Sequence, residues 1–147
     1  MEFDKDWVEK NGFEGFKKVS ELKTSSQRKI IPLQKGVYLV FRNSDSQPEF
    51  RNNKELLLDY WVENANVIYI GQAGGRASKV TLRKRLSQYI RKSKIHKGGK
   101  SIWELEDSDD LLIAWKSTID DPYDVETKLI EMFKSIYHKR PFANKLK

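Results

Sequence analysis

Three short runs of β-branched and aromatic residues restrict the fold of this 147-residue chain more than any other feature. They lie at Gly36–Phe41, Val67–Ile70 and Leu111–Trp115, and polar or glycine-containing segments separate them. Runs of this length and composition predict buried β-strands. No apolar stretch approaches the roughly 20 residues that a membrane-spanning helix needs, so we expect a folded protein and no membrane partner.

Apolar residues recur at helical spacing outside the three strands. The repeat predicts helices over the segments 4–10, 54–63, 80–91, 102–105 and 122–137. Asp121 followed by Pro122 is a typical capped start for the last and longest of these helices. Strands combined with helices in this way predict one domain of the α/β (α+β) class spanning residues 1–147.

Cysteine and histidine content narrows the chemistry that the chain can perform. There is no cysteine, and His96 and His138 are far apart, so neither a thiolate site nor a histidine metal cluster is expected. Any bound metal should therefore be a hard cation held by oxygen. The first residues mix charged and aromatic side chains and do not resemble a signal peptide, which predicts a cytoplasmic (intracellular) protein.

Positive charge is concentrated in one part of the chain. The formal net charge is +7, with 28 Lys and Arg against 21 Asp and Glu. No acidic residue interrupts the segment 76–100, whose cationic residues are Arg76, Lys79, Arg83, Lys84, Arg85, Arg91, Lys92, Lys94, Lys97 and Lys100. Charge of one sign at this density favours a polyanionic partner, and a solvated helix face is the alternative interpretation. DNA is the expected partner, with RNA as the other candidate.

Glu126 and Arg85 are charged residues beside the apolar faces of two predicted helices. Helical spacing places Glu126 one turn before Ile130 and Arg85 one turn before Tyr89. A carboxylate there could hold a metal, and an arginine could stabilise charge on a phosphoryl group, as phosphodiester hydrolysis requires. Structural interpretations remain open as well: Glu126 could be a solvated first-turn acid, or the two residues could form a salt bridge.

Two tripeptides, Gly36-Val37-Tyr38 and Tyr69-Ile70-Gly71, favour a catalytic interpretation of these charged residues. With them the sequence resembles the GIY-YIG nuclease family, and in particular the stand-alone bacterial-type members of that family. The resemblance covers about residues 36–144 and includes an arginine, a glutamate and an asparagine in the family order, here Arg85, Glu126 and Asn144. It implies a metal-dependent endonuclease built on a central, mainly antiparallel three-stranded sheet flanked by helices.

The resemblance also implies a role for each catalytic residue. Tyr38 is expected to be the general base or its relay to water, and Tyr69 to orient the water or the scissile phosphate. Arg85 is expected to stabilise charge on the phosphoryl group. Glu126 is expected to hold one Mg²⁺ or Mn²⁺ per active site, and Asn144 to fix local geometry by hydrogen bonds. The residues expected to contact nucleic acid are Gly71, Arg76, Lys79, Arg83, Lys84, Arg91, Lys92 and Lys100.

The chain is longer than these motifs require. Residues 1–34 are expected to form an N-terminal extension. Residues 43–66, between the two tripeptides, are expected to be an insertion that either reads the substrate or decorates the fold. Arg83 lies close to Arg85 and is its rival for the arginine position.

Two polar positions depart from the family pattern or add to it. A lysine often follows the second tripeptide in the family, whereas this chain has Gln72. A tyrosine base would then need cationic help from elsewhere, for which Lys79 and Arg76 are the candidates. His96 is either an auxiliary acid or base or an inert loop residue.

Two other functions fit parts of the sequence. The first is a non-catalytic nucleic-acid-binding domain that retains the nuclease fold. The second is a nucleotide-phosphate cradle at Gly71–Gly75, before a predicted helix start, although this loop has neither the GxxxxGK[ST] nor the GxGxxG pattern. A chain with one active site should cut one strand at a time, so double-strand cleavage would require a dimer or two visits.

Overall fold

A four-stranded antiparallel sheet forms the centre of the protein in the computed structural model, which describes residues 2–92 and 98–144. The strand order is β1-β4-β2-β3. The strands are β1 (Glu14–Lys18), β2 (Gly36–Phe41), β3 (Val67–Ala73) and β4 (Leu112–Ser117). Every adjacent pair is antiparallel, and the three predicted strands are present as β2, β3 and β4. The predicted number of three strands is wrong, because β1 adds an edge.

β1 has none of the features by which the other strands are recognised. Its side chains are exposed or half-buried, and Phe16 has a positive φ of 52° beside a bulge between Gly15 and Lys17. Edge strands are often protected by bulges and lysines, which remove the apolar alternation that predicts a strand. Gly15 lies against the ring of Trp115, where a Cβ would be 2.6 Å from Cη2. The expected extension 1–34 therefore supplies part of the central sheet.

Among the residues described, three α-helices accompany the sheet: α1 (Lys5–Lys10), α2 (Leu82–Ile90) and α3 (Pro122–Tyr137). The predicted start of α3 is confirmed, since the Asp121 carboxylate accepts a hydrogen bond from the Tyr123 N–H at 2.9 Å. The predicted helices at 54–63 and 102–105 are 3-10 helices over Glu55–Tyr60 and Lys100–Glu104. Further 3-10 helices lie at Val19–Leu22, Gln27–Ile30 and Ser108–Asp110. In the two described ranges, no helix has the length and apolar composition to cross a membrane.

The two faces of the sheet bury separate apolar cores. Tyr38 and Val40 of β2 point to the face covered by α2, whereas Val37 and Leu39 point to the face covered by α1 and α3. All six residues of β2 are buried because both faces are covered. The two tripeptides lie on β2 and β3. Because both strands are buried, the positions of the side chains that project from them are fixed.

The segment 43–66 leaves the sheet between β2 and β3 and is closed at its base. The Arg42 N–H donates to the Asn66 carbonyl oxygen at 2.8 Å, and the Asn66 side-chain amide donates to the Arg42 carbonyl oxygen at 3.0 Å. A cavity of about 510 Å³ lies between the two arms of the segment, with Arg42 and Trp61 in its wall. The Trp61 ring packs on Phe142 at a centroid distance of 5.1 Å. The segment is thus anchored to the fold away from the two tripeptides.

Candidate active site

The register of β2 against β3 brings the two motif tyrosines to the same face of the sheet. Tyr38 pairs with Gly71 and Val40 pairs with Tyr69, so the two tyrosines lie diagonally across the pair of strands. Their ring centroids are 6.0 Å apart. The two hydroxyls share a hydrogen bond, in which either oxygen could be the donor. One hydroxyl proton of the pair is therefore left for another acceptor.

The glycines of both tripeptides are required by packing. A Cβ on Gly71 would lie 2.6 Å from the Tyr38 hydroxyl oxygen, so the Tyr38 ring occupies the space above this glycine. A Cβ on Gly36 would collide with the carbonyl oxygen of Lys116 on the neighbouring strand. Gly71, which was expected to contact nucleic acid, is buried and gives room to the tyrosine.

A third tyrosine completes the cluster. Tyr89 of α2 stacks on Tyr69 at 5.5 Å with an interplanar angle of 26°, and its ring is 6.0 Å from that of Tyr38. Its hydroxyl donates to the Gly99 carbonyl oxygen at 2.7 Å. The sequence pattern assigned Tyr89 only to the apolar stripe of α2. Gly99 gives room to this cluster, because a Cβ there would lie 2.8 Å from the Tyr69 ring.

Arg85 from α2 and Glu126 from α3 both act on Tyr69. The charge of Glu126 raises the pKa of Tyr69, and the charge of Arg85 lowers it. Glu126 is 7% exposed although it is a carboxylate. Within the described part of the chain, Arg85 Nε is buried and has no hydrogen-bond partner. Two helices that are distant in the sequence thus bring opposite charges within electrostatic range of the Tyr69 hydroxyl.

Burial controls the protonation of the tyrosines. It raises the pKa of Tyr38 well above its ordinary value, and the neighbouring tyrosines raise it further while Arg85 lowers it. It also raises the pKa of Tyr69 to about 12, with Glu126 acting in the same direction. Both hydroxyls are therefore protonated near neutral pH. This net direction is opposite to the one that a tyrosine base needs.

Asn144 braces the strand that carries the second tripeptide. Its side-chain oxygen accepts from the Ile70 N–H at 2.9 Å, and its side-chain nitrogen donates to the Ile70 carbonyl oxygen at 2.8 Å. The neighbouring Ala143 N–H donates to the Ile68 carbonyl oxygen at 2.8 Å. Both backbone groups of Ile70 lie at the free edge of β3, where they would otherwise lack partners. Asn144 therefore holds the backbone between Tyr69 and Gly71.

Two of the arginines expected to contact nucleic acid are engaged by the protein itself. Arg83 donates from Nε to the Ile31 carbonyl oxygen at 2.8 Å and from Nη2 to the Lys29 carbonyl oxygen at 2.7 Å. It faces the segment before β2, and Arg85 is the arginine that acts on the tyrosines. Arg76 contacts Asp124 at 3.1 Å and lies over the Tyr123 ring at 4.2 Å.

The remaining residues expected to contact nucleic acid are exposed, and Lys92 also lies over the Trp103 ring at 5.3 Å. The exposed residues are Lys79, Lys84, Arg91, Lys92 and Lys100. Lys94, Lys97 and His96, which the sequence also singled out, lie outside the described residues. We refer to the five exposed residues as the basic surface.

The loop after β3 does not form a free phosphate cradle. The Gln72 side-chain oxygen accepts from the Gly75 N–H at 2.9 Å, and the Asp121 carboxylate accepts from the Arg76 N–H at 3.2 Å. These backbone donors are the ones that a phosphate would need. Because side chains occupy them, nucleotide-phosphate binding has no support at this loop.

The donor set beside the tyrosines suits one type of metal. Among the described residues, no group of three or more His, Cys, Asp or Glu side chains could hold a metal ion. A single buried carboxylate, Glu126, lies near Tyr69. Mg²⁺ is commonly held by one or two carboxylates together with water and substrate phosphates. Glu126 therefore fits Mg²⁺ or Mn²⁺ and does not fit a structural zinc site.

Comparisons with known proteins give no relative for this chain. No family model, no curated protein and no solved structure matches it. The assignment of a function therefore rests on the geometry of the site.

Proposed function

We propose that this protein is a metal-dependent endonuclease of the GIY-YIG type that hydrolyses phosphodiester bonds in DNA. One observation carries the proposal: the charges of Arg85 and Glu126, from two different helices, both act on the pKa of Tyr69, which shares a hydrogen bond with Tyr38. These are the residues that the resemblance to the family singled out, and they come together from four separate elements. Asn144 adds the brace on β3.

The arrangement supports a division of work in hydrolysis. The terminal nitrogens of Arg85 would bind the phosphoryl oxygens and stabilise the charge that develops on them. Glu126 would hold Mg²⁺, which when bound supplies positive charge to the phosphoryl group and to the leaving oxygen. The basic surface would hold the flanking phosphates.

The tyrosines orient groups in this scheme and do not remove a proton. Both tyrosines stay protonated and share one hydrogen bond, so the second hydroxyl proton of the pair can be directed at the substrate phosphate or at water. This is the relay role of Tyr38, and it is compatible with the raised pKa of both hydroxyls.

A non-catalytic nucleic-acid-binding domain is the second candidate. It is favoured by the low exposure of Tyr69, 7%, and by the upward pKa shift of both tyrosines. The basic surface serves this function equally well.

Cleavage assays separate the two candidates. Purified protein is incubated with supercoiled plasmid, single-stranded DNA and RNA of matched length, with Mg²⁺ or with EDTA. The nuclease should nick the plasmid before linear product appears, because each chain has one site, and EDTA should stop it. Binding to DNA without cleavage of any substrate would favour the second candidate, and preferential cleavage of RNA would change the substrate class.

Glu126→Gln tests the metal assignment. It keeps the size of the side chain and removes its charge, so cleavage should fall roughly a hundredfold or more while DNA binding is retained. Loss of a buried negative charge should leave the melting temperature unchanged or raise it. Glu131→Gln, on the exposed side of the same helix, is the matched control and should cleave normally.

The competing interpretation predicts a different outcome for the same variant. If Glu126 served only as the salt-bridge partner of Arg85, Glu126→Gln would leave an unpaired cation and destabilise the fold by about 3 to 5 kcal/mol. Near-normal cleavage by a folded Glu126→Gln protein would contradict the catalytic assignment.

A further inference from the structure

Gln88 is a polar residue of α2 that neither the sequence motifs nor the proposed function uses. It is 9% exposed. Its side-chain carbonyl oxygen, Oε1, is buried and has no hydrogen-bond partner among the residues described. Buried amide oxygens are nearly always satisfied, so an exception indicates a bound water or a functional group that meets its partner in the working state.

Arg85, a neighbour of Gln88 on the helix, has a buried donor that lacks an acceptor in the described structure. Arg85 is three residues earlier and therefore lies beside Gln88 on the surface of α2. Arg85 Nε is a buried donor without an acceptor, and Gln88 Oε1 is a buried acceptor without a donor in the same described structure. Gln88 also directly precedes Tyr89, which stacks on Tyr69.

On the other flank of α2, polar side chains have hydrogen-bond partners within the protein. Ser87 accepts a hydrogen bond from Arg28 Nε at 2.9 Å, and Arg83 donates to the carbonyl oxygens of Ile31 and Lys29. Polar groups on that flank are satisfied by the segment 28–31. The buried donor and acceptor without partners in the described structure lie on the opposite flank, and the charge of Arg85 on that flank acts on Tyr38 and Tyr69.

A donor and an acceptor on neighbouring residues of one helix select one class of ligand. A phosphate ester can accept from Arg85 Nε, but it has no proton to give to Gln88 Oε1. A water molecule accepts from the first and donates to the second. The requirement is thus met by the nucleophile of a hydrolysis reaction and not by the phosphate alone.

We propose that Gln88 orients the attacking water, through its Oε1, next to the phosphoryl group held by Arg85; this inference rests on the nuclease function proposed above. The water oxygen forms the new bond to phosphorus. The bond from phosphorus to the leaving sugar oxygen breaks, and its electron pair stays on that oxygen. One water proton passes through solvent to the leaving oxygen, since an amide does not act as a base. Glutamine has the same water-orienting role in other phosphoryl-transfer enzymes.

Gln88→Leu is the first variant of the test. It replaces the amide by an apolar group of similar size, so the buried acceptor disappears together with its unmet hydrogen bond. The melting temperature should stay the same or rise. The kcat for plasmid nicking should fall roughly a hundredfold, as expected when a reactant is misplaced, while KM and DNA affinity stay unchanged.

Gln88→Glu supplies a readout that a structural role would not move. A carboxylate also accepts a hydrogen bond from water, so this variant should recover much of the cleavage lost in Gln88→Leu. Its kcat should become dependent on pH, rising as the new carboxyl group loses its proton, whereas wild type should lack this rise.

Ser87→Ala is the matched control from the satisfied flank of the same helix. It should lower the melting temperature, because Arg28 loses an acceptor, and leave the kcat of the folded protein unchanged.

The outcomes separate failure of this inference from failure of the proposed function. If wild type nicks plasmid and Gln88→Leu nicks it equally fast, the role of Gln88 is overturned and the nuclease function stands. A lower melting temperature of Gln88→Leu with an unchanged kcat per folded molecule would also overturn the proposed role of Gln88. Wild type that cleaves no nucleic acid would overturn both.

Discussion

Two buried regions of this protein each contain an arginine, and they differ in how its hydrogen bonds are met. Arg42, at the base of the segment 43–66, donates from Nε to Asp107 at 2.8 Å and from its terminal nitrogens to Ser46. Its guanidinium also lies 5.4 Å from the Trp61 ring. Arg85, beside the tyrosines, leaves its buried Nε without a partner in the described structure.

The hydrogen bonds of the two side chains distinguish a structural arginine from one that is available to a ligand. A buried guanidinium whose nitrogens are all satisfied stabilises the protein and has little left to offer a ligand. One with an open donor beside a cluster of hydroxyls is held ready for a partner that the protein does not supply.

Arg85→Met gives the largest expected effect. Cleavage should fall roughly a hundredfold to a thousandfold, because the charge that stabilises the phosphoryl group is lost. The melting temperature should remain the same or rise, since the variant also removes a buried donor with no acceptor. The proposed contrast between Arg85 and Arg42 is wrong if Arg85→Met is destabilised and its folded fraction still cleaves normally.

Arg42→Met is the matched substitution in the other region. It should lower the free energy of unfolding by about 3 kcal/mol, the low end for breaking a buried ion pair, because the Asp107 side chain is 34% exposed. Urea denaturation measures the loss, and the nicking rate per folded molecule should match wild type. If the nicking rate of Arg42→Met falls as much as that of Arg85→Met, the two arginines do not differ in role.

Alkaline pH should destabilise the tyrosine region in particular. The ordinary tyrosine pKa is 10.0, and burial raises the pKa of Tyr69 to about 12 in the folded protein. The unfolded chain therefore loses its proton first, so the contribution of Tyr69 is fully present below pH 10 and is lost as pH rises to about 12. Two pKa units correspond to about 2 to 3 kcal/mol.

A variant is needed to assign the loss of stability at alkaline pH to Tyr69. Tyr69→Phe cannot ionise, so its free energy of unfolding should fall less between pH 10 and 12 than that of wild type. An identical fall in both proteins would show that the tyrosine is not protected by the fold.

The smallest expected effect concerns two neighbouring cations of α2. Lys84→Ala should weaken DNA binding and reduce the slope of log affinity against log salt by about 1, because an exposed phosphate contact is lost. Arg83→Ala should leave that slope unchanged and lower stability by about 1 kcal/mol, because its guanidinium already donates to Ile31 and Lys29. Equal changes in slope would place both residues on the nucleic acid.

Local sequence patterns predicted most of the elements and failed where the signal was not local. β2, β3 and β4 were found because burial on two faces gives continuous apolar runs, and α3 because Asp121 and Pro122 mark its start. β1 was missed because a bulge and a positive φ at Phe16 remove the strand pattern. What makes it a strand is pairing with β4, which lies far along the chain.

The candidate site shows the same limit. The sequence singled out Tyr38, Tyr69, Arg85, Glu126 and Asn144 through motifs and helical position. It gave no reason to select Gln88 or Tyr89, because a glutamine or tyrosine in a helix carries no signal until its surroundings are known. It also grouped Arg83 and Arg76 with the free cations, although both are engaged by the protein.

The strands with continuous apolar runs and the helix with a capped start follow from the amino-acid sequence alone. Which polar groups are satisfied depends on the folded arrangement of the chain. Arg42 meets Asp107 across 65 positions of chain, Arg83 meets Ile31 across 52, and Asn144 meets Ile70 across 74. Whether a buried donor or acceptor finds a partner depends on such distant contacts, so the difference between Arg85 and Arg42 is a property of the folded chain.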